Sequence, residues 1–179
     1  MVLSDGMGSG GRAAVDSALA AGLTVRLRKA GFGYESMLKM INTALMAKSE
    51  DESLATLDIV DINLFSGEAR LLKAGAGASL LYSGGRVSRM DESSLPLGIL
   101  RELTFAETVD RLTDGDLLIT MSDGVSNEGL TWVEDLIKEY ENTTPLGELA
   151  ESIAQQARER QGDDHDDITV IVAQMQKTA

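Results

Sequence analysis

The chain of 179 residues has no cysteine and only one histidine. The first absence excludes disulfides and thiolate metal sites and fits a reducing compartment. No apolar run approaches the length that a membrane span needs, and no signal-peptide pattern opens the chain. A soluble, cytoplasmic domain without membrane contact is expected, in a parent protein that can itself be membrane-anchored. Positive charge is scarce as well: 16 Lys and Arg face 29 Asp and Glu, for a formal net charge of -13. That balance argues against non-specific nucleic-acid binding, which requires a basic face. An acidic excess is ordinarily a solubility feature, and it becomes informative only where acids sit too close together for all to be solvated. The length suits one domain, 1–179, with a sizeable core, and no repeat, low-complexity block or linker divides it.

What is present is a layered pattern. Val15, Ala18, Leu19, Gly22 and Leu23 fall at helical spacing, with Gly31 as a stop. Tyr34, Met37, Leu38, Ile41, Ala44 and Leu45 mark the face of a second helix. Met37, Met40 and Met46 read as core filling. The character then changes to strands. Leu54 to Phe65 and "EARLLKA" flank a turn at Ser66-Gly67, and "SLLYSGGRVSRM" is a hairpin turned by Gly84-Gly85. "ELTFAETVDRL" and "LLITM" read as a further hairpin through Asp114-Gly115. Two more helices follow, the first marked by Trp132, Val133, Leu136, Ile137 and Tyr140, with Trp132, Leu136 and Tyr140 read as core, and "DITVIVAQM" closes as a strand. Helices flanking antiparallel hairpins give an α+β class, and "LLITM", which lacks a polar face, demands burial on both sides. An antiparallel β-sandwich with helices outside satisfies both observations.

Two apolar runs end in the same tripeptide, Ser4-Asp5-Gly6 and Ser122-Asp123-Gly124, each leading into helix-forming sequence. A third acidic point, Asp163, Asp164, Asp166 and Asp167, opens the last strand. A single Asp-Gly usually just makes a turn, and an acidic run is usually a solvated loop. Three acidic strand ends meeting at one rim would instead need a cation to neutralise them. With no cysteine and one histidine the ligands would be oxygens, favouring Mg²⁺ or Mn²⁺ over Zn²⁺. Two rival motifs fail. Gly6, Gly8 and Gly11 fit G-x-G-x-x-G, but a second helix follows where a dinucleotide fold needs a parallel strand. The acidic run lacks the glycine and closing glutamate of a calcium loop, having Ile168 and Gln174 there.

Taken in order, "LSDGMGSG", "TLDIVDI", "LPLGI", "GDLLITMSDGV" and "DDHDDITVIV" resemble the metal-dependent (PPM, type 2C-like) serine/threonine protein phosphatases. Within them the resemblance is closest to the stage II sporulation protein E branch, and it covers essentially the whole chain. It implies a β-sandwich flanked by helices, with two divalent metals, Mn²⁺ or Mg²⁺, at one end. Matched residue by residue, Asp5 bridges both metals, the Gly6 carbonyl binds one, and Asp123 and Asp166 bind the other. Asp167 is the second choice if the register slips. The implied reaction is hydrolysis of phosphoserine or phosphothreonine by metal-activated water, on a phosphorylated protein of the anti-sigma-factor-antagonist kind.

Met7 stands where some members of that family carry a general-acid histidine, and His165 is a weak substitute beside Asp166. The resemblance also implies strands upstream of Val2, one bearing an acid for the second metal. The chain therefore reads as N-terminally truncated, with an incomplete second metal site and an open edge that invites a homodimer. The two N-terminal helices, which start at the metal loop, are read as coupling regulation to metal binding. The alternative function is a catalytically impaired phosphatase-like domain that serves as a protein-interaction module.

Overall fold

The computed structural model describes residues 1–8, 10–48, 53–92, 94–127, 129–140, 144–162 and 166–177. Its strands form two four-stranded sheets, ordered β1-β2-β3-β6 and β5-β4-β7-β8. The chain divides into two compact units: Met1–Asp61 with Arg70–Ala76 and Glu92–Thr108, and Ile62–Ala69 with Gly77–Asp91 and Val109–Ala179. The expected α+β class, with antiparallel strands and helices, is what the structure has. Among the described residues no helix is long and apolar enough to cross a membrane.

The first unit begins with a two-residue strand, β1 (Val2–Leu3), followed by α1 (Gly11–Lys29) and α2 (Tyr34–Lys48). Helix α1 stops as its glycine requires. Gly31 adopts φ 87°, its N–H donates to Arg28 O, and the Phe32 N–H donates to Leu27 O, so the last carbonyls are satisfied. In α2, Met37, Leu38, Ile41 and Leu45 form the buried stripe of an amphipathic helix. The α1 face meets expectation in part, with Leu19 and Leu23 packed against the core cluster. Val15, Ala18 and Gly22 are exposed, whereas Ala13, Asp16, Ala20 and Thr24 are buried. Two polar side chains hold inward positions because each has a partner: Asp16 pairs with Lys48 at 2.5 Å, and Thr24 donates to Ala20 O at 2.8 Å. Met40 is also exposed, not core, since the stripe passes through Met37 and Ile41 instead.

Strand β2 (Leu57–Ile62) pairs antiparallel with β1, placing Leu3 opposite Asp58, and β3 (Glu68–Ala74) lies on its other side. Asp58 is buried and meets Lys73 of β3 at 2.5 Å. Burial pushes the Lys73 ammonium below its usual range, with Asp58 opposing the shift.

In the second unit, β4 (Ser79–Ser83) and β5 (Arg86–Met90) make the hairpin predicted around Gly84-Gly85. Strand β7 (Leu117–Met121) runs between β4 and β8 (Val170–Gln174), and all five of its residues are buried. A central strand covered on both faces has no use for alternation, which explains "LLITM". The expected hairpin at Asp114-Gly115 does not form. Strand β6 (Ala106–Arg111) belongs to the first sheet and β7 to the second. The turn is stabilised locally instead: buried Asp116 accepts the Thr113 N–H at 2.6 Å and its hydroxyl at 2.9 Å. A short α3 (Asp123–Ser126) precedes α4 (Thr131–Glu139) and α5 (Leu146–Gln161). Val133 and Ile137 of α4 and Leu149, Ile153 and Ala157 of α5 share one apolar cluster with β7. Trp132, Leu136 and Tyr140 pack against its margin, half-buried, so the expected face of α4 is the inward one, with Val133 and Ile137 at its centre.

Candidate metal site

Asp5 and Gly6 follow β1, where the chain stays extended beside residues 54–56. The Ser4 hydroxyl donates to Thr56 O at 2.6 Å, and the Asp5 N–H donates to Thr56 Oγ1 at 3.0 Å. The Thr56 N–H returns a bond to Asp5 O at 2.8 Å, and the Met7 N–H reaches Leu54 O at 3.0 Å. Asp5 is therefore fixed through its own backbone on both sides. A Cβ on Gly6 would lie 1.9 Å from Ala13 O, inside any allowed contact, so glycine is what lets α1 begin against this turn.

Asp123 and Gly124 follow β7 and open α3. Ser122, itself buried, locks this end to the approach of β8: its hydroxyl donates to Asp167 O at 2.9 Å and accepts the Thr169 N–H at 2.9 Å. The Ser122 N–H donates to Thr169 O at 3.0 Å. A Cβ on Gly124 would meet Asp167 O at 2.6 Å, so glycine is again required by a passing backbone. Gln161, the last residue of α5, closes the other side. Its Nε2 donates to Gly124 O at 2.8 Å, and its Oε1 accepts the Asp166 N–H at 3.1 Å.

Asp123, Asp166 and Asp167 are exposed and Asp5 is half-buried. Asp123 Oδ1 accepts the Gly124 N–H at 3.0 Å, and Asp166 Oδ1 accepts the Asp167 N–H at 2.9 Å. Each carboxylate is thus oriented by the next peptide. Turn by turn, the available donors are carboxylate and carbonyl oxygens, hard ligands of the kind that suits Mg²⁺ or Mn²⁺. The two glycine cradles, closed to any Cβ, hold the carboxylate-bearing turns against rigid backbone. On those grounds the oxygen donors of each turn, taken by itself, are chemically suited to a divalent ion. Asp5 and Gly6 lie in the first unit, and Asp123, Asp166 and Asp167 in the second. Within the second, the structure joins the segments of Asp123 and Asp166 through Ser122 and Gln161. Among the described residues no group of three or more acids or histidines is gathered as a metal cluster. His165, Asp163 and Asp164 lie outside the described residues. Thr56, Ser122 and Gln161 were not singled out in the sequence. Only Ser122 carried a signal, the repeat of Ser before Asp-Gly.

A family model described as Stage II sporulation protein E (SpoIIE) matches residues 1–176. Stage II sporulation protein E of Bacillus subtilis (strain 168) is 33% identical over 181 residues, covering 97% of this chain and 22% of that protein. This chain thus spans under a quarter of that relative's length. Among solved structures, the PP2C phosphatase domain of SpoIIE from Bacillus subtilis, with a fragment of its regulatory domain, is 32% identical. It superposes with a TM-score of 0.80 over 96% of this chain and 52% of that one. The phosphatase domain of the same protein presoaked with Mn is 30% identical, with a TM-score of 0.60 over 88% of this chain and 72% of that one.

Proposed function

The chain belongs to the stage II sporulation protein E family as a PP2C-type phosphatase domain, and from that premise we propose that it hydrolyses phosphoserine or phosphothreonine on a regulatory protein, using Mn²⁺ or Mg²⁺. The single domain would span 1–179. The observation that carries the reading is the pair of backbone-locked Asp-Gly turns, which present oxygen donors on rigid strand ends. Asp5, the Gly6 carbonyl, Asp123 and Asp166 would hold the metal. Bound divalent metal supplies Lewis acidity toward the phosphate oxygens and the attacking water. The chain's own share is positional. Asp5 is held by Thr56, and Asp123 and Asp166 are oriented by the N–H groups that follow them, so little reorganisation is needed on binding. The substrate is read as a small phosphoprotein of the anti-sigma-factor-antagonist kind, following the family branch. Strand β1 stands at the end of its sheet with β2 as its partner, which supports pairing with a second copy.

The test is manganese-dependent release of phosphate from a phosphoserine protein. Asp123→Ala and Asp166→Ala should each abolish it while leaving the circular dichroism unchanged. Activity that survives both substitutions rejects the metal assignment.

A further inference from the structure

We propose that Gln161 is a positioning residue that fixes the spacing between the Asp123 and Asp166 segments and thereby sets the divalent-metal affinity of the second unit. The inference rests on the metal-dependent reading above and names a side chain that reading does not use.

Gln161 sits at the junction of three chain segments. Its amide donates to a carbonyl 37 residues earlier, at Gly124, and accepts from an N–H five residues later, at Asp166. The orientation of the amide is fixed by those partners, because a carbonyl only accepts and a peptide N–H only donates. The site is shaped for this contact. A Cβ on Gly124 would stand 3.0 Å from Gln161 Nε2 as well as 2.6 Å from Asp167 O, so the glycine admits both the strand and the amide. Helix α5 is a firm base for it, anchored by Leu149, Ile153 and Ala157 and ended at once by Gly162 with φ 63°. Ser122 ties the same two segments from the strand side. Two side chains therefore clamp one pair of turns, one from the residue after β7 and one from α5.

The chemistry of the residue fits the place. A neutral amide offers one donor and one acceptor without adding charge beside Asp123, Asp166 and Asp167. Glutamate would keep the acceptor, lose the donor and add a fourth negative charge. Partners behind metal ligands typically change affinity by about 10- to 100-fold when removed. An effect of that size is expected here, because both bonds of Gln161 end on residues at or beside the ligands.

The experiment compares wild type, Gln161→Met, Gln161→Asn and Gln155→Ala in the intact protein. Gln161→Met keeps length and loses both bonds. Gln161→Asn keeps the amide and shortens its reach. Gln155 is an exposed α5 residue bonded to Glu159 and serves as the control. Site-bound Mn²⁺ is measured from the electron paramagnetic resonance signal of free Mn²⁺. Thermal unfolding and exchange of the Asp166 amide are followed without metal. Both Gln161 variants should bind Mn²⁺ about 10- to 100-fold more weakly and exchange the Asp166 amide faster, with metal-free melting close to wild type and Gln155→Ala unchanged. Raised manganese should restore turnover in Gln161→Met and not in Asp123→Ala. Unchanged Mn²⁺ affinity in both Gln161 variants overturns the positioning role while leaving the metal reading intact. A loss of affinity matched by an equal global loss of stability also overturns it. Wild type without site-bound Mn²⁺ overturns both.

Discussion

The same tripeptide, Ser-Asp-Gly, closes a strand in each unit and takes two different backbones. In the first unit it stays extended and pairs with residues 54–56. In the second it bends into α3, where the Asn127 N–H donates to Asp123 O at 2.9 Å. What the two copies share is not a turn type. Neither Gly6 nor Gly124 has a positive φ, so neither glycine is needed for a left-handed conformation. Both are needed for room, against Ala13 O in one unit and Asp167 O in the other. Both serines donate to a carbonyl of a neighbouring segment. The repeat thus encodes close backbone approach beside an aspartate, which is what a carboxylate needs to be held still. The supports differ. Neutral hydrogen bonds hold both turns, those of Ser4 and Thr56 in one and of Ser122 and Gln161 in the other, but β2, beside the first, also carries a buried ion pair, Asp58–Lys73.

The difference in support is the easiest to break. Lys73→Met leaves the buried Asp58 carboxylate without its cation, and the loss should be about 3–5 kcal/mol in urea unfolding. A cost under about 1 kcal/mol would mean that the pair behaves as a surface bridge. The glycines come next. Gly6→Ala forces a Cβ onto helical backbone and should cost about 3 kcal/mol, while Gly124→Ala should cost about 1–2 kcal/mol because its clash is less severe. Equal costs would show that the two cradles are equally tight. The serines follow. Ser122→Ala strands the Thr169 N–H and removes a bond to Asp167 O, at about 1–3 kcal/mol, whereas Ser4→Ala should cost about 0.5–1.5 kcal/mol. The reverse order would contradict the greater burial of Ser122.

Much of this was legible in the chain. Apolar runs and glycine pairs marked β3 and the β4–β5 hairpin at their ends, because strand period and turn chemistry are local. The Asp-Gly motifs marked the candidate acids. Two kinds of feature were not legible. The inward face of α1 is legible only in part: Leu19 and Leu23 pack against the core, but Asp16 and Thr24 become core residues only when Lys48 and the Ala20 carbonyl answer them. The β6–β7 connection was misread because Asp114-Gly115 makes the same local turn whether the strands pair or part, and only the sheet order decides. Gln161 is of the first kind: its role depends on partners 37 and 5 residues away, and a glutamine at a helix end carries no signal of its own.

The smallest expected effect is a pH dependence confined to the first unit, where Tyr34, Arg28 and Asp61 meet. The Tyr34 hydroxyl donates to Asp61, and Arg28 stacks over the Tyr34 ring at 4.1 Å and pairs with Asp61 at 3.0 Å. The Tyr34 hydrogen bond, with help from Arg28, holds the Asp61 carboxyl below its usual range. Burial, then the bond to Asp61, pushes Tyr34 up to about 12 from 10.0. A depressed acid stabilises the fold above its ordinary pKa, near 4, and loses that stabilisation as pH falls through its folded value. A raised phenol stabilises it below pH 10 and loses that contribution as pH climbs toward about 12. Tyr34→Phe should therefore cost a constant amount between about pH 5 and 9, and the difference from wild type should shrink at both ends. Because the Asp61 side chain is 45% exposed, solvent screening keeps the plateau below about 1 kcal/mol. Amide exchange at the α1–α2 junction reads the effect where it arises. A difference that stays flat from pH 3 to pH 11, roughly one unit beyond each ordinary pKa, would show that the hydroxyl contributes packing alone.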